Sequence, residues 1–274
     1  MLGQDLAPLL EARHELLPVD LPEVDITDAD AMARAVDTGK PDVVIHAAAF
    51  TAVDDCERQP ERAFLVNSVG TRNVALACRG AGVPMLYIST DYVFDGGKDG
   101  PYLENDRTNP LNVYGKSKLE GEGHVRELVP RFWIVRTSWL FGPLGKSFVQ
   151  TILGCVRAGE PLRVVDDQVG APTYTVDLAA KLLEIVERGK TGIYHVTNQG
   201  YCSWFEFSKE IARQAGLAQA EISPVATSAS ERPARRPPNS RLANTRLTSE
   251  GLSLLPAWTD ALGRYLEREG RARA

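Results

Sequence analysis

Two short segments of the chain carry residue types that together could donate a proton. Tyr114 and Lys118 stand four residues apart where the pattern predicts a helix, so both side chains lie on one helix face. A positive charge beside a phenol stabilises the phenolate and lowers the pKa of the phenol. Ser89 and Thr90 follow residues 83–88, which are typical of a buried strand. The spacing predicts an acid catalyst made of a phenol, an ammonium and a hydroxyl.

The Tyr114–Lys118 pair is a modest signal by itself. Only one of the 8 tyrosines has a lysine four residues later, and most pairs at this spacing are neighbours on a helix surface. The interpretation therefore depends on the elements that must position the pair.

Composition indicates an ordinary globular protein and excludes several function classes. The 274 residues are 43% hydrophobic and 24% charged, enough for a sizeable core in one large or two modest domains. A net charge of -5 gives no reason to expect nucleic acid or an anionic membrane as a partner. No apolar run approaches the roughly 20 residues of a membrane helix. The scattered cysteines and histidines predict neither disulfides nor a zinc site, and with no signal peptide pattern we expect a cytoplasmic protein.

Helical and strand patterns alternate along the first half of the chain. Helices are expected at residues 1–10, from an N-cap at Thr27 to Gly39, at 60–79 with a stop at Gly80, and from Tyr114 onwards. Strands are expected at residues 14–19, 41–49, 83–89 and 132–137. This alternation predicts an α/β fold with a doubly wound parallel sheet, Rossmann-like. Ligands bind beyond the carboxyl ends of such strands, where residues 47–50, 89–92 and 137–141 fall.

The alternation is looser after Gly142. Helices are expected at residues 148–158, 177–188 and 203–214, the last with Ser203 as its N-cap, and short strands at 162–166 and 193–196. These elements predict a smaller C-terminal α+β part. Residues 223–247 contain five arginines, Arg232, Arg235, Arg236, Arg241 and Arg246. This segment is either a solvated loop or a clamp for a phosphorylated ligand, because arginine matches phosphate geometry.

Five segments in order resemble the extended short-chain dehydrogenase/reductases, and most closely the dTDP-4-dehydrorhamnose reductases. They are residues 46–54 (HAAAFTAVD), 88–96 (ISTDYVFDG), 109–122 (NPLNVYGKSKLEGE), 136–142 (RTSWLFG) and 167–178 (DQVGAPTYTVDL). No one of them suffices, but together they extend through nearly the whole chain. The resemblance implies a dinucleotide-binding domain at residues 1–147, rejoined by about 170–198, and a smaller sugar-nucleotide-binding domain at 148–169 and 199–274.

The resemblance also implies a reaction. A reduced nicotinamide would reduce the C4 ketone of dTDP-4-dehydro-6-deoxy-L-mannose (dTDP-4-dehydrorhamnose) to dTDP-L-rhamnose, with Tyr114 as the proton donor. Lys118 would lower the pKa of Tyr114 and bind the nicotinamide ribose, while Thr90 would hydrogen-bond the reacting oxygen. Thr90, Asp91 and Trp139 match positions that contact the nucleotide sugar in that family. The alternative for Trp139 is a core aromatic residue.

A further set of positions matches the cofactor contacts of that family. They are Gly3, Asp20, Asp25, Ile26, Ala47, Ala48 and Ala49, together with Tyr114 and Lys118. Small side chains at 47–49 would let the cofactor approach, or else serve tight strand packing. Asp20, expected at the end of a strand, would accept hydrogen bonds from the adenosine ribose and repel a 2′-phosphate. It favours NADH over NADPH, with both left open.

The same family begins with a strand and a G-x-x-G-x-x-G turn that binds the pyrophosphate, and here Gly3 matches only the last of those glycines. Either the true start lies upstream, or the chain is genuine and binds the cofactor poorly or not at all. Two other functions share parts of the pattern: a related nucleotide-sugar epimerase or dehydratase, and a non-catalytic regulatory subunit with a reductase-like fold. A Mg2+ ion and a homodimer are also left open.

Overall fold

A computed structural model of the protein describes residues 1–229 and 231–273, in which helices and strands alternate. The helices are α1 (Leu2–Glu11), α2 (Ala29–Gly39), α3 (Val53–Arg58), α4 (Pro60–Phe64), α5 (Thr71–Ala81), α6 (Val113–Leu128), α7 (Phe148–Ala158), α8 (Thr175–Arg188), α9 (Trp204–Gln214), α10 (Thr245–Ser249) and α11 (Trp258–Arg273). The strands are β1 (Val44–His46), β2 (Met85–Thr90), β3 (Phe132–Thr137), β4 (Leu140–Phe141), β5 (Leu162–Val165), β6 (Val169–Gly170), β7 (Thr173–Tyr174), β8 (Gly192–His195), β9 (Cys202–Ser203) and β10 (Ile222–Val225). Ser230 and Ala274, which fall in the expected segments 223–247 and 199–274, lie outside the described residues.

The central sheet is parallel and has the strand order β1-β2-β3-β8. Its strands carry continuous apolar runs because both faces are covered. On one face Leu86 and Trp133 pack with residues of α1 and α8. On the other face Met85 and Tyr87 pack with residues of α2, α5 and α6. The predicted Rossmann-like α/β fold is therefore confirmed.

A second region of the chain has its own apolar cluster. Residues of α7, α9 and α11 surround the buried aromatic rings of Phe141, Phe207 and Tyr265. Two short two-stranded sheets accompany it, β5 with β10 in parallel and β6 with β9 antiparallel. The predicted cap of α9 is present as a capping box between Ser203 and Glu206. No helix among residues 1–229 and 231–273 is long and apolar enough to span a membrane.

The prediction of a strand at residues 14–19 was wrong. This segment is irregular, and Leu17 and Val19 are 48% and 51% exposed. A strand needs a neighbouring strand for its backbone hydrogen bonds, and β1, the edge of the described sheet, pairs only with β2. Pro18, within the segment, also lacks a backbone N–H.

Two helix ends also differ from the prediction. The N-cap of α2 is Asp28, which accepts a hydrogen bond from the Ala31 N–H (2.9 Å), because the Thr27 hydroxyl is bonded to Asp25 (2.8 Å). The helix expected at residues 60–79 is divided into α4, a π-helical turn at Leu65–Gly70, and α5. It ends at Gly82, whose φ of 70° is the left-handed conformation that glycine adopts readily.

Candidate active site

The candidate site is built first from the carboxyl end of β2. Thr90 is the last residue of this strand, and its hydroxyl caps the following turn by accepting a hydrogen bond from the Tyr92 N–H (3.2 Å). The same hydroxyl donates to the Asp91 carboxylate (2.9 Å). Thr90 and Asp91 are 5% and 3% exposed. The strand thus ends in two polar side chains that are held in the interior, where polar groups are costly without a partner.

Helix α6 brings Tyr114 to the end of β2. Its N-cap Asn112 accepts a hydrogen bond from the Gly115 N–H (2.8 Å). Only glycine fits at position 115, because a Cβ there would stand 2.1 Å from the Tyr92 carbonyl oxygen. Farther along, a Cβ on Gly121 would stand 2.5 Å from the Tyr87 hydroxyl. The helix therefore lies flat on β2, with Tyr114 in its first turn.

The Tyr114 phenol is half-buried, packs edge-on to the Tyr92 ring (centroids 5.9 Å apart), and meets the Thr90 hydroxyl. Burial raises the pKa of Tyr114, and the hydrogen bond with Thr90 opposes this rise. The sequence predicted instead that Lys118 lowers this pKa. Desolvation of the phenolate determines the direction of the shift instead, so the phenol keeps its proton at neutral pH. A protonated phenol beside a hydroxyl is the state that a proton donor requires.

Lys118 lies one helical turn beyond Tyr114 and is 2% exposed. Its Nζ atom is 4.0 Å from the centre of the Tyr87 ring, a cation–π contact. Burial lowers the pKa of Lys118 to about 7, and the nearby Glu122 opposes this shift. His46 stacks on the same Tyr87 ring (centroids 5.5 Å apart). Burial lowers the pKa of His46 to about 3. The imidazole is therefore neutral, and Lys118 is the titrating cation of this layer.

A buried ion pair beneath the site was not foreseen from the sequence. Arg136 of β3 donates to both carboxylate oxygens of Glu122 (2.9 and 2.7 Å), and Ser89 donates to Glu122 (2.5 Å). Glu122 and Arg136 are 1% and 3% exposed. The sequence feature that could have indicated this ion pair is Arg136, a charged residue that follows four apolar residues in β3. The pair ties α6 to β2 and β3 and places a carboxylate near Lys118.

Asp91 has an unusual environment. Burial raises the pKa of Asp91 to about 7, and hydrogen bonds from Ser240 and Thr90 oppose this shift. Its Oδ2 atom is buried and has no hydrogen-bond partner among the described residues. The carboxyl can therefore be neutral near pH 7 and accept or donate a hydrogen bond.

Trp139 lies just beyond the carboxyl end of β3. Its backbone has a φ of 48°, and its carbonyl accepts a hydrogen bond from the Thr173 N–H (3.2 Å). The indole is half-buried and stacks on Trp204 of α9. The structure therefore places this predicted sugar contact where the central sheet meets the second apolar cluster.

The expected cofactor positions lie in different parts of the structure. Ala47 and Ala48 follow β1 and are exposed, and Ala49 is half-buried beside them, at the same strand ends as Thr90. Gly3 is exposed in the first turn of α1, with open space around it. Asp20, by contrast, lies in the irregular segment and bonds the adjacent Leu21 N–H (2.8 Å). Asp20 was expected at the end of a strand that is not formed in the described structure. The expectation that Asp20 favours NADH therefore has no structural support.

Asp25 and Ile26 form a turn that is anchored to α5. Asp25 accepts hydrogen bonds from the Thr27 N–H and hydroxyl (both 2.8 Å), which lower the pKa of Asp25. The Ile26 carbonyl accepts a hydrogen bond from Asn73 (3.0 Å), and the Ile26 side chain lies against Gly70, where a Cβ would stand only 2.8 Å away. This turn is therefore held in place by α5 and the π-helical turn.

Most of the arginines in residues 223–247 have protein partners. Arg236 donates two hydrogen bonds to Asp54 of α3 (2.5 and 2.8 Å), and Arg232 makes a longer contact with it (3.4 Å). Arg241 bonds Asn239 (2.8 Å), and Arg246 bonds Glu250 (2.8 Å). The segment is thus attached to the body of the protein rather than freely solvated. Among the described residues, no group of three or more His, Cys, Asp or Glu side chains could hold a metal ion.

The parallel sheet, with a Tyr–Lys pair on the helix that packs on its central strand, places the protein among the short-chain dehydrogenase/reductase-type oxidoreductases. The model of the RmlD substrate binding domain family matches residues 1–270. The chain belongs to this family, whose members include dTDP-4-dehydrorhamnose reductases.

Individual relatives are similar over nearly their whole length. The dTDP-4-dehydrorhamnose reductase of Aggregatibacter actinomycetemcomitans is 41% identical over 276 residues, which cover 95% of this chain and 93% of that protein. The spore coat polysaccharide biosynthesis protein SpsK of Bacillus subtilis strain 168 is 38% identical, with 99% and 95% covered. The crystal structure of dTDP-4-dehydrorhamnose reductase from Bacillus anthracis in complex with NADP has a TM-score of 0.95 at 38% identity, with 97% and 95% covered.

Proposed function

We propose that this protein reduces the C4 ketone of dTDP-4-dehydrorhamnose to give dTDP-L-rhamnose, with a reduced nicotinamide as the hydride source. The observation that carries the proposal is the meeting of the protonated Tyr114 phenol and the Thr90 hydroxyl at the end of β2. The names of relatives at about 40% identity, which are dTDP-4-dehydrorhamnose reductases, supply the substrate class of the proposal. Oxidoreductase chemistry belongs to the family, whereas the sugar and the residue roles are the proposal.

Tyr114 is the proposed proton donor. As the ketone oxygen gains negative charge, it takes the phenolic proton, and the Thr90 hydroxyl turns from Asp91 to donate a hydrogen bond to the same oxygen. The phenolate left behind is unfavourable in a buried site. The nearby ammonium of Lys118 stabilises it, because the pKa of Lys118, about 7, leaves part of the population charged at neutral pH.

A nicotinamide cofactor fits the residues around the Tyr114 helix. Ala47 and Ala48 are small and exposed beyond β1, which leaves room for a flat ring system near Lys118. Lys118 is buried beneath this surface, with its Nζ over the Tyr87 ring, and it would donate a hydrogen bond to ribose hydroxyls. When bound there, a reduced nicotinamide would supply the hydride. The relative from Bacillus anthracis was solved with NADP.

The nucleotide sugar is proposed to lie between the central sheet and the smaller part, residues 148–169 and 199–274. Asp91, with its buried and unpartnered Oδ2, is available for a sugar hydroxyl. Trp139 offers an indole at the boundary between the two parts. Arg235 is exposed beside the Asp54–Arg236 ion pair and faces no carboxylate at ion-pair distance among the described residues, so it is available for a phosphate.

The proposal is tested by product identity. The full protein is incubated with dTDP-4-dehydrorhamnose and NADPH or NADH, and the sugar is analysed by NMR. A reductase consumes one cofactor per ketone and gives dTDP-L-rhamnose, with deuterium at C4 when the cofactor is deuterated at the transferred position. Conversion to another ketone or epimer without net cofactor consumption would identify an epimerase. Binding without conversion would identify a non-catalytic protein.

A further inference from the structure

Trp139 has a strained backbone. Among residues 1–229 and 231–273, Lys40 and Trp139 are the only non-glycine residues with positive φ, 42° and 48°. Lys40 is the C-cap of α2, a common place for this conformation. Trp139 lies in a loop after β3, and a bulky side chain in the left-handed region persists only when its surroundings hold it there.

The surroundings that hold Trp139 come from α9. The indole of Trp204 lies parallel to that of Trp139, with ring centroids 3.5 Å apart and planes 8° apart. Phe148 of α7 packs against Trp204 (centroids 4.5 Å apart). Isolated aromatic pairs prefer offset or edge-on contacts over a face-to-face stack, so this geometry is imposed by the elements that carry the two rings.

The position of Trp204 is fixed by the start of its helix. Trp204 is the first residue of α9, directly after the capping box in which Ser203 and Glu206 exchange two hydrogen bonds (3.0 and 2.7 Å). Ser203 also donates to Asp166 (2.5 Å). The Trp204 ring is therefore presented from a helix start that three hydrogen bonds hold in place.

A second element confines the same indole. Gly170 of β6 lies so close to Trp139 that a Cβ would stand 2.5 Å from Cε2 and 2.7 Å from Cζ2. Gly170 pairs with Cys202 of β9, two residues before Trp204. The paired strands and α9 thus confine Trp139 together, and both belong to the second region of the chain.

We propose that Trp204 is a positioning residue that holds the Trp139 indole in its sugar-binding orientation. Through this stack the α9 region sets the affinity for the nucleotide sugar without touching the reacting atoms. The inference rests on the proposed function, since it takes Trp139 as a sugar contact.

The test compares Trp204→Leu with Trp258→Leu. Both tryptophans are half-buried and pack on Phe207, with centroids 6.4 and 5.5 Å away, but Trp258 begins α11 and makes no ring contact with Trp139. Trp204→Leu is expected to raise the KM for the nucleotide sugar about threefold to tenfold, the range for loss of one aromatic pair, and to change kcat less than about twofold. Trp204→Phe, which keeps a stacking ring, should restore most of the affinity, and Trp258→Leu should leave it unchanged.

Circular dichroism provides a readout that does not depend on activity. Two indoles stacked in this way couple their electronic transitions and give paired bands of opposite sign. The bands should disappear in Trp204→Leu and in Trp139→Leu and remain in Trp258→Leu. Gly170→Ala removes no aromatic ring, but its Cβ should displace Trp139, weaken the bands and weaken sugar binding.

Calorimetric titration with dTDP-L-rhamnose separates this inference from the proposed function. If the wild type binds this nucleotide sugar but reduces no ketone, the proposed reaction fails while the positioning role is still decided by affinity. If the bands are lost in Trp204→Leu and its affinity equals that of Trp258→Leu, the positioning role is overturned. Loss of affinity in Trp204→Leu and Gly170→Ala, and not in Trp258→Leu, supports it.

Discussion

The Lys118 ammonium lies over the Tyr87 ring, 4.0 Å from its centre, and not in an ion pair with a carboxylate. Burial lowers the pKa of Lys118 to about 7, and the negative charge of Glu122 opposes this shift. Glu122 is itself engaged by Arg136 and Ser89. The site therefore holds a buried lysine that loses its proton near pH 7.

This environment predicts a pH dependence of stability. The unfolded chain keeps the Lys118 proton up to its ordinary pKa of 10.5, whereas the folded protein releases it near 7. The unfolded state then binds more protons between these values, so the contribution of Lys118 to stability rises with pH. Lys118→Met removes this contribution. Urea unfolding at about pH 7 and about pH 9.5 should show the wild type gaining stability relative to the variant as pH rises. A constant difference between the two proteins would contradict the buried-lysine assignment.

Asp91 predicts the opposite trend at lower pH. Its folded pKa of about 7 exceeds its ordinary value of 3.8, so the folded state binds more protons in this interval. The contribution of Asp91 to stability therefore falls as pH rises from about 4 to about 7. Asp91→Asn, which keeps the shape without the charge, should become progressively more stable than the wild type over that range. Asp99→Asn, at an exposed carboxylate, is the matched control, and equal behaviour of the two variants would refute the prediction.

The Glu122–Arg136 pair predicts a large loss of stability when one partner is removed. Glu122→Gln leaves Arg136, 3% exposed, without its carboxylate, and breaking a buried pair costs about 3–5 kcal/mol. Asp55→Asn breaks the exposed pair with Arg58 (3.0 Å) and should cost at most about 1 kcal/mol. Urea denaturation measures both free energies of unfolding. Equal losses would show that the buried pair has no special role.

The Asp54–Arg236 contact predicts local order in residues 231–238. Arg236 binds both carboxylate oxygens and lowers the pKa of Asp54 to about 2, and the Ala234 N–H also bonds Asp54 (3.3 Å). Lysine cannot make two parallel hydrogen bonds, so Arg236→Lys should speed hydrogen exchange at the Ala234 amide about tenfold. Arg232→Lys, at the longer 3.4 Å contact, is the control and should change the rate little. An unaltered rate in Arg236→Lys would show that the segment is held by other contacts.

Local patterns were sufficient to predict most elements of the described fold. The apolar runs of β2 and β3 predicted buried parallel strands, and Ser203 was predicted as the N-cap of α9, where the structure shows a capping box with Glu206. Thr90 was expected at the carboxyl end of a strand and Tyr114 on a later helix, and the structure brings the two side chains together at the end of β2.

Contacts between distant segments could not be predicted in the same way. Arg136 and Glu122 lie on different elements, and nothing in either segment shows that they pair. The Trp139–Trp204 stack likewise joins a loop after β3 to a helix 65 positions later, and the positive φ of Trp139 has no local sequence signature. The pattern at residues 14–19 suits a strand, but a strand forms only where a neighbour accepts its hydrogen bonds.

The most direct test of the proposed mechanism is the Tyr114→Phe variant. Ketone-dependent NADPH oxidation is followed by absorbance, and dTDP-L-rhamnose binding by calorimetry, for wild type and variant. Removing the proton donor should lower kcat by at least about 100-fold, while affinity for the nucleotide sugar stays within about threefold. Phe retains the edge-on packing against Tyr92, so the fold is expected to persist. Full ketone reduction by Tyr114→Phe would contradict the assignment of Tyr114 as the acid.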